Sequence, residues 1–301
     1  MRIYSETDNM STFDKKLLHS VELLQKSEQL ALRYSQDGFF LAFSGGKDSQ
    51  ALYHVALLAG VKFKAHYSLT TLDPPEAVRF IKTEYPDVVI DRPKLTFSQL
   101  CVKNKMLPTR VARFCCAELK ETQGANTVTL TGVRRAESFR RSKRNEMERF
   151  SSSKKRRISG DYNTVNDQFT REREVEGVQC IRGKDKIIVN PIIEWTDKDV
   201  WHFLNDVVNA KHCSLYDDGF HRIGCLFCPM SDVKSINREI HRYPKYYDMM
   251  IRTIHKIRAS GGLAEFNGMT DEDVFDWWKS KQSVKAWLAN KKYQTKIDFD
   301  F

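Results

Sequence analysis

The apolar positions of this chain follow two periods, and each change of period marks an element. Residues 12–35 place Leu17, Leu18, Val21, Leu24 and Leu30 at helical spacing, which predicts an amphipathic helix with those side chains toward a core. Phe39–Phe43 is a continuous apolar run, as in a parallel strand buried on both faces. Residues 50–59 then read as a helix ended by Gly60, and 61–69 as a second strand. Asp73 and two prolines open a further helix that stops before Pro86. After it, 88–90 reads as a third strand, 96–105 and 115–124 as short helices, 127–133 as a fourth strand and 186–192 as a fifth. Thr196 with Asp199 forms a capping pattern for one more helix.

Strands alternating with helices at this spacing predict an α/β fold, a doubly wound parallel sheet covered on both faces. The basic stretch before the fifth strand shows no period and is expected to be a long loop. Past residue 213 the pattern changes to a turn-rich cysteine segment and two long helices, 231–259 and 271–290, separated by SGGLAEFNG. The expected organisation is an N-terminal helix over 1–36, an α/β domain over 37–212, and a cysteine-containing helical appendage over 213–301.

Composition narrows the setting. No run of about 18 apolar residues occurs, so no membrane span is expected. The first residues lack an apolar signal core, and a cytoplasmic location is the default expectation. Seven cysteines in 301 residues, without a signal peptide, argue for buried thiols or metal ligation over a disulfide framework. The net charge is +10, but residues 134–157 hold 11 Lys or Arg against 3 Asp or Glu, so +8 of it is local.

The most informative segment is Ser44-Gly45-Gly46-Lys47-Asp48-Ser49, between the first buried strand and its helix. Glycines let backbone N–H groups approach an anion, and the helix start adds free amides and a positive dipole end. Lys47 supplies charge, and Ser44 and Ser49 supply hydroxyls. Asp48 fits either as a holder of Mg²⁺ or as an acceptor of backbone N–H groups that shape the loop. The bland alternative is a tight βα turn with a polar cap.

SGGKDS resembles the pyrophosphate loop of the N-type ATP pyrophosphatases, or PP-loop superfamily. TGVRRAESFRR (131–141), NPIIEWTDKDVW (190–201), RFCCAELK (113–120) and RIGCLFCPM (222–230) resemble the phosphoadenosine phosphosulfate (PAPS) reductase branch of it. The resemblance spans roughly 39–230 and implies an adenine nucleotide alpha-hydrolase-like, Rossmann-like fold that binds ATP or an adenylyl nucleotide. It implies a nucleotide site at Ser44, Gly45, Gly46, Lys47, Asp48, Ser49, Gly132, Arg134, Arg135, Glu137 and Arg140, with Lys47, Asp48 and Arg134 in catalytic roles. The loop matches the ATP-cleaving relatives. Sulfonucleotide reductases differ there and carry a catalytic cysteine near the C-terminus, whereas no cysteine follows Cys228 here.

Cys115-Cys116 and Cys225-x-x-Cys228 offer four thiolates. Adjacent cysteines diverge and strain to reach one tetrahedral zinc, whereas a cubane gives each thiolate its own iron. In iron–sulfur members of the PAPS reductase family such a set binds one [4Fe–4S] cluster, so the resemblance implies that cofactor. Zinc, or no metal, stays open. Cys213 is a candidate substitute ligand. Cys101 and Cys180 read as core thiols.

Arg134, Arg135, Arg140 and Arg141 follow a strand's C-terminal end, where open α/β sheets place ligands. Gly132 would permit close approach and Glu137 would orient an arginine. The whole stretch 134–157 reads as a solvated loop, a nucleotide lid, or a grip on tRNA or DNA, with Phe139, Phe150 and Tyr162 available for stacking. Asp73 is expected to cap its helix first, and to meet Mg²⁺ or nucleotide second. Three functions compete: ATP-dependent adenylation coupled to sulfur transfer, sulfonucleotide reduction with an external thiol, and a non-catalytic nucleotide- or nucleic-acid-binding module. A sulfur-donor or reductant protein and an oligomeric state are compatible with each enzymatic reading; a membrane partner is not expected.

Overall fold

The computed structural model describes residues 10–150, 158–160 and 186–297. Cys180, Tyr162 and the cations at 154–157 lie outside the described residues. In chain order the elements begin α1 (Thr12–Tyr34), β1 (Phe39–Phe43), α2 (Lys47–Leu58), β2 (Phe63–Ser68), α3 (Pro75–Glu84), β3 (Val89–Asp91) and α4 (Phe97–Asn104). They continue with α5 (Phe114–Cys116), β4 (Val128–Leu130), β5 (Met147–Phe150), β6 (Ile158–Gly160), β7 (Lys186–Val189) and α6 (Asp197–His202). The last four helices are α7 (Val233–Arg242), α8 (Pro244–Ala259), α9 (Asp271–Ser280) and α10 (Val284–Ile297).

These elements form two compact units. One comprises Met1–Ser68, Pro75–Asp91 and Glu121–Ile223; the other comprises Leu69–Pro74, Arg92–Lys120 and Gly224–Phe301. The units interleave along the chain because the segments that follow β2 and β3 leave the sheet. The second unit therefore draws on residues well before 213, the boundary expected from sequence.

The first unit holds a mixed, mostly parallel sheet in the order β3-β2-β1-β4-β7-β5-β6. β1 lies parallel to β2 and β4, with Leu41 opposite Ala65 and Leu130. β4 lies parallel to β7, with Val128 opposite Ile187. The expected α/β class is present, with one correction. Part of the basic stretch forms β5, antiparallel to both β7 and β6. Its charged residues hide the period in the sequence, and pairing with the apolar β7 supplies the order that local pattern does not.

α1 starts at Ser11, whose side chain accepts from the Asp14 N–H while Asp14 reaches back. Leu24 and Leu30 are buried as expected, and so is Leu23, but Leu18 is 41% exposed. Two serines share the buried face without penalty. Ser20 Oγ donates to Pro191 O and accepts from Trp195 Nε1, and Ser27 Oγ donates to Leu23 O.

The second unit has its own apolar core, including Phe97, Leu100, Phe227, Ile254, Phe275 and Trp278. Each long helix expected there is two. Pro244 pushes Tyr243 out of helical geometry (φ −127°, ψ 61°) and separates α7 from α8. Lys281 adopts a left-handed conformation (φ 62°) and ends α9. No helix among the described residues is long and apolar enough to cross a membrane. Leu24→Ala is expected to cost about 2–5 kcal/mol and Leu18→Ala no more than about 0.5 kcal/mol, read by chemical denaturation.

Candidate functional site

The loop after β1 is shaped by its own side chains. Gly45 has φ 70°, and a Cβ there would lie 2.9 Å from Ile81 Cγ1, so both conformation and space require glycine. Gly46 at the N-cap of α2 has no side chain to offer, so the first-turn amides depend on partners from elsewhere in the chain. Ser49 Oγ donates to Gly46 O at 2.9 Å and accepts from Ser44 N at 3.1 Å. The single hydroxyl hydrogen of Ser49 is thus spent on the loop, which ties its two ends. Ser44 Oγ lies 3.1 Å from the same oxygen.

Lys47 opens α2 and is only 6% exposed. Its ammonium lies 3.8 Å from Asp48 Oδ2, 3.7 Å from Asp197 Oδ1 and 3.5 Å from His221 O. Its backbone N–H donates to Tyr216 Oη at 2.8 Å. Arg134, 1% exposed, lies across both acids. Its Nε donates to Asp48 Oδ1 at 2.7 Å, its second terminal nitrogen to Asp197 Oδ1 at 2.5 Å, and its first to Trp195 O at 3.2 Å. Two cations and two carboxylates therefore form one network, and Asp48 faces Arg134, a partner outside the two roles expected of it.

Burial and the paired charges compete over the protonation of this network. It pushes the Asp48 carboxyl up, against the opposing pull of Arg134 and Lys47. Burial acts the same way on Asp197, but the Arg134 hydrogen bond and the charges of Lys47 and Arg134 outweigh it and hold Asp197 low. Burial also disfavours charge on Arg134, and Asp48 with Asp197 more than restores it.

The other expected site residues serve mainly local structure. A Cβ on Gly132 would lie 2.8 Å from Asp48 O, so the close approach there is to the first turn of α2. Glu137 accepts from the Arg134 backbone N–H at 3.0 Å and pairs with Arg141. Arg135 pairs with Glu194 and donates to Arg144 O, and Arg144 grips both oxygens of Glu148. Arg149 is buried. Among the described cations of this stretch, Arg134, Arg135, Arg141 and Arg144 are therefore engaged by acids. Arg140 stays exposed, and Lys143 lies over the ring of Phe139, 79% exposed, at 4.8 Å.

Sequence reasoning missed Asp197 and Tyr216. Asp197 lies within the motif 190–201 and beside the capping pair Thr196 and Asp199, with no site role expected for it; its side chain pairs with Arg134. Tyr216 stands 169 residues from the amide it meets, with no local signal.

The thiols gather in the second unit. Cys115 and Cys116 share a hydrogen bond that pushes the first up and the second down. Arg113 and Lys120 further favour thiolate at Cys116, against burial. Cys225 and Cys228 both act on Cys115 electrostatically. Burial opposes the charge of Lys120, but Cys225, Asp73 and Cys116 outweigh it. The Cys225–Cys228 turn is held by Leu226 N–H donating to Leu72 O at 2.7 Å and Phe227 N–H donating to Glu239 Oε2 at 2.6 Å, with Phe227 at φ 49°. Asp73 accepts from Thr70 N at 2.7 Å, so its carboxylate closes the 70–73 turn that precedes α3. Cys213, the candidate substitute ligand, is packed in the first unit with Ala77, Leu215 and Phe220. Cys101 is a buried core thiol, as expected. Among the described residues no three His, Cys, Asp or Glu side chains form a group that could hold a metal ion.

The family model of the phosphoadenosine phosphosulfate reductase domain matches residues 38–231. The chain belongs to that family. An uncharacterized protein of Methanocaldococcus jannaschii is 26% identical over 269 residues, covering 83% of this chain and 55% of that protein. The adenosine 5'-phosphosulfate reductase of Oceanobacillus iheyensis is 26% identical over 164 residues, covering 51% of this chain and 54% of that protein. The chain spans about half the length of the first of these relatives. Among solved structures, Candida glabrata FMN adenylyltransferase with FAD and inorganic pyrophosphate gives a TM-score of 0.46 at 14% identity, covering 74% of this chain and 66% of that one. The Candida auris PAPS reductase gives 0.41 at 16% identity, covering 73% and 98%.

Burial pushes the Glu239 carboxyl up from 4.5 to about 7. The folded protein thus keeps a proton that the unfolded chain releases, and stability falls as pH rises from 4.5 to about 7. Glu239→Gln keeps an acceptor for Phe227 and removes that titration. Its gain over the parent in thermal melts is expected to grow across this window and level off above it; a gain independent of pH would assign it to packing.

Proposed function

We propose that this protein is a PP-loop enzyme that adenylates a substrate at the expense of MgATP and couples that activation to sulfur transfer. The observation that carries the reading is the buried Lys47 at the glycine-capped start of α2, with its charge held among Asp48, Asp197 and Arg134. The α2 amides, Ser44 and Lys47 would take the pyrophosphate end of ATP, which arrives with its Mg²⁺. A substrate oxygen attacks the α-phosphorus, the bond to the β-phosphate oxygen breaks, and pyrophosphate leaves. Lys47 and the loop amides offset the charge that grows on the leaving group. A sulfur nucleophile then displaces AMP from the activated carbon or phosphorus.

Arg134 acts through the network. It fixes Asp48 and Asp197, and these aim the Lys47 ammonium. The exposed Arg140 is available to the substrate. Asp48 is engaged by two cations, so Mg²⁺ is better supported as a companion of the phosphates than as a resident of this carboxylate.

Cys115, Cys116, Cys225 and Cys228 would hold a [4Fe–4S] cluster. Their chemistry fits: four thiols, one favoured as thiolate, with Arg113 and Lys120 beside them to offset an anionic centre. A cubane spreads its ligands over four irons, so it does not require three side chains around one ion, as zinc does. When bound, such a cluster supplies an electrostatic centre or a carrier of sulfide.

The likeness to the Oceanobacillus iheyensis reductase supports a second reading, sulfite release from an adenylyl sulfate with an external thiol. Incubation with MgATP and candidate acceptors should yield AMP and pyrophosphate in equal amounts, and Lys47→Ala should lower that rate by about 10²–10³. Sulfite from PAPS without pyrophosphate from ATP would favour the reductase reading. Anaerobically purified protein is expected to be brown, with iron and acid-labile sulfide in equal amounts; a colourless protein without iron would defeat the cluster.

A further inference from the structure

One tyrosine takes the amide that the loop offers to an anion. Lys47 N–H donates to Tyr216 Oη at 2.8 Å, and a Cβ on Gly46 would lie 3.5 Å from the same oxygen. The hydroxyl accepts where a phosphate oxygen accepts at the start of a helix. The tyrosine does not need this bond to be placed. Its ring lies edge-on to Trp201 at 5.0 Å and to His212 at 6.2 Å. The neighbouring Leu215, Phe220 and Ile223 pack with Ala77. Burial pushes the phenol up, so Tyr216 is a neutral acceptor. A phosphate oxygen is charged and makes the stronger bond to the same amide.

Resting on the nucleotide reading above, we propose that Tyr216 belongs to the phosphate site. Its hydroxyl stands in the position of a phosphate oxygen, and a ligand bearing a pyrophosphate group replaces it on the Lys47 amide. The exchange is local: one hydrogen bond breaks, one forms, and the ring moves along its contacts with Trp201. Part of the affinity for phosphate is therefore set by a side chain that competes for the same donor, a specificity element that favours ligands charged enough to displace it.

Tyr216→Phe keeps the ring and removes the competitor. Calorimetric titration with inorganic pyrophosphate and with ATP, at fixed Mg²⁺ and salt, should show roughly three- to tenfold tighter binding in the variant, as expected for one hydrogen bond. Adenosine, which lacks the phosphates, should show no change. In the parent, pyrophosphate should also produce a tyrosine difference spectrum that the variant lacks. Weaker binding in Tyr216→Phe would mean that the hydroxyl donates to the phosphate, and equal binding that it takes no part; either overturns the inference and leaves the nucleotide reading intact. Failure of both proteins to bind pyrophosphate and ATP would remove the nucleotide reading and this inference with it.

Discussion

A guanidinium removed from water is the constraint on which the first unit turns. Arg134 carries a full charge in a position with almost no exposure, and such a charge persists only when opposite charges and hydrogen bonds surround it. Asp48 comes from the first turn of α2, Asp197 from the start of α6, and the carbonyl from Trp195. Arg134 itself follows β4. One side chain thus fixes the relation of three segments that meet at the C-terminal end of the parallel strands, the end at which open α/β sheets place ligands. Gly132 lets β4 come that close, because any side chain there would strike the Asp48 backbone.

The network also sets what the loop can do. Lys47 is surrounded by acids, yet its ammonium stands 3.7–3.8 Å from each, farther than a tight hydrogen bond. Arg134 draws both carboxylates more closely. Lys47 is thus held by the charge of acids committed elsewhere and by the His221 carbonyl at 3.5 Å, not by a tight ion pair. The two serines of the loop fall to different tasks for a related reason: Ser49 lies inside the turn and closes it, while Ser44 stands at its opening.

The thiol cluster follows the same logic in the second unit. Burial alone would keep every cysteine protonated, and it does so for Cys101. At Cys116 two cations and a thiol hydrogen bond reverse that preference. The buried Glu239 spends its acceptor on the strained turn between Cys225 and Cys228. Positive charge near sulfur favours thiolate, and the turn beneath it is held by a buried hydrogen bond. Both are costly to maintain for packing alone.

The α/β class, the first strands and helices along the chain, the Thr196–Asp199 cap and the glycine corner after β1 were legible in the sequence alone. Each depends on neighbours a few residues apart: apolar runs, glycines at a corner, Thr with Asp three positions on. Tertiary structure decided what those neighbours cannot encode. β5 formed because an apolar strand distant in the chain offered it hydrogen bonds. Among the described residues, Arg135, Arg141 and Arg144 of the basic stretch pair with Glu194, Glu137 and Glu148 and serve structure as well as surface charge. Pro244 was visible in the sequence, yet helical periodicity on both sides masked the break that it causes. Asp197 and Tyr216 joined the loop, and Cys213 packed with Ala77 and Leu215, through tertiary contacts alone. Charge pairing and burial act through space, and a residue's distance along the chain does not reveal which partner it will meet.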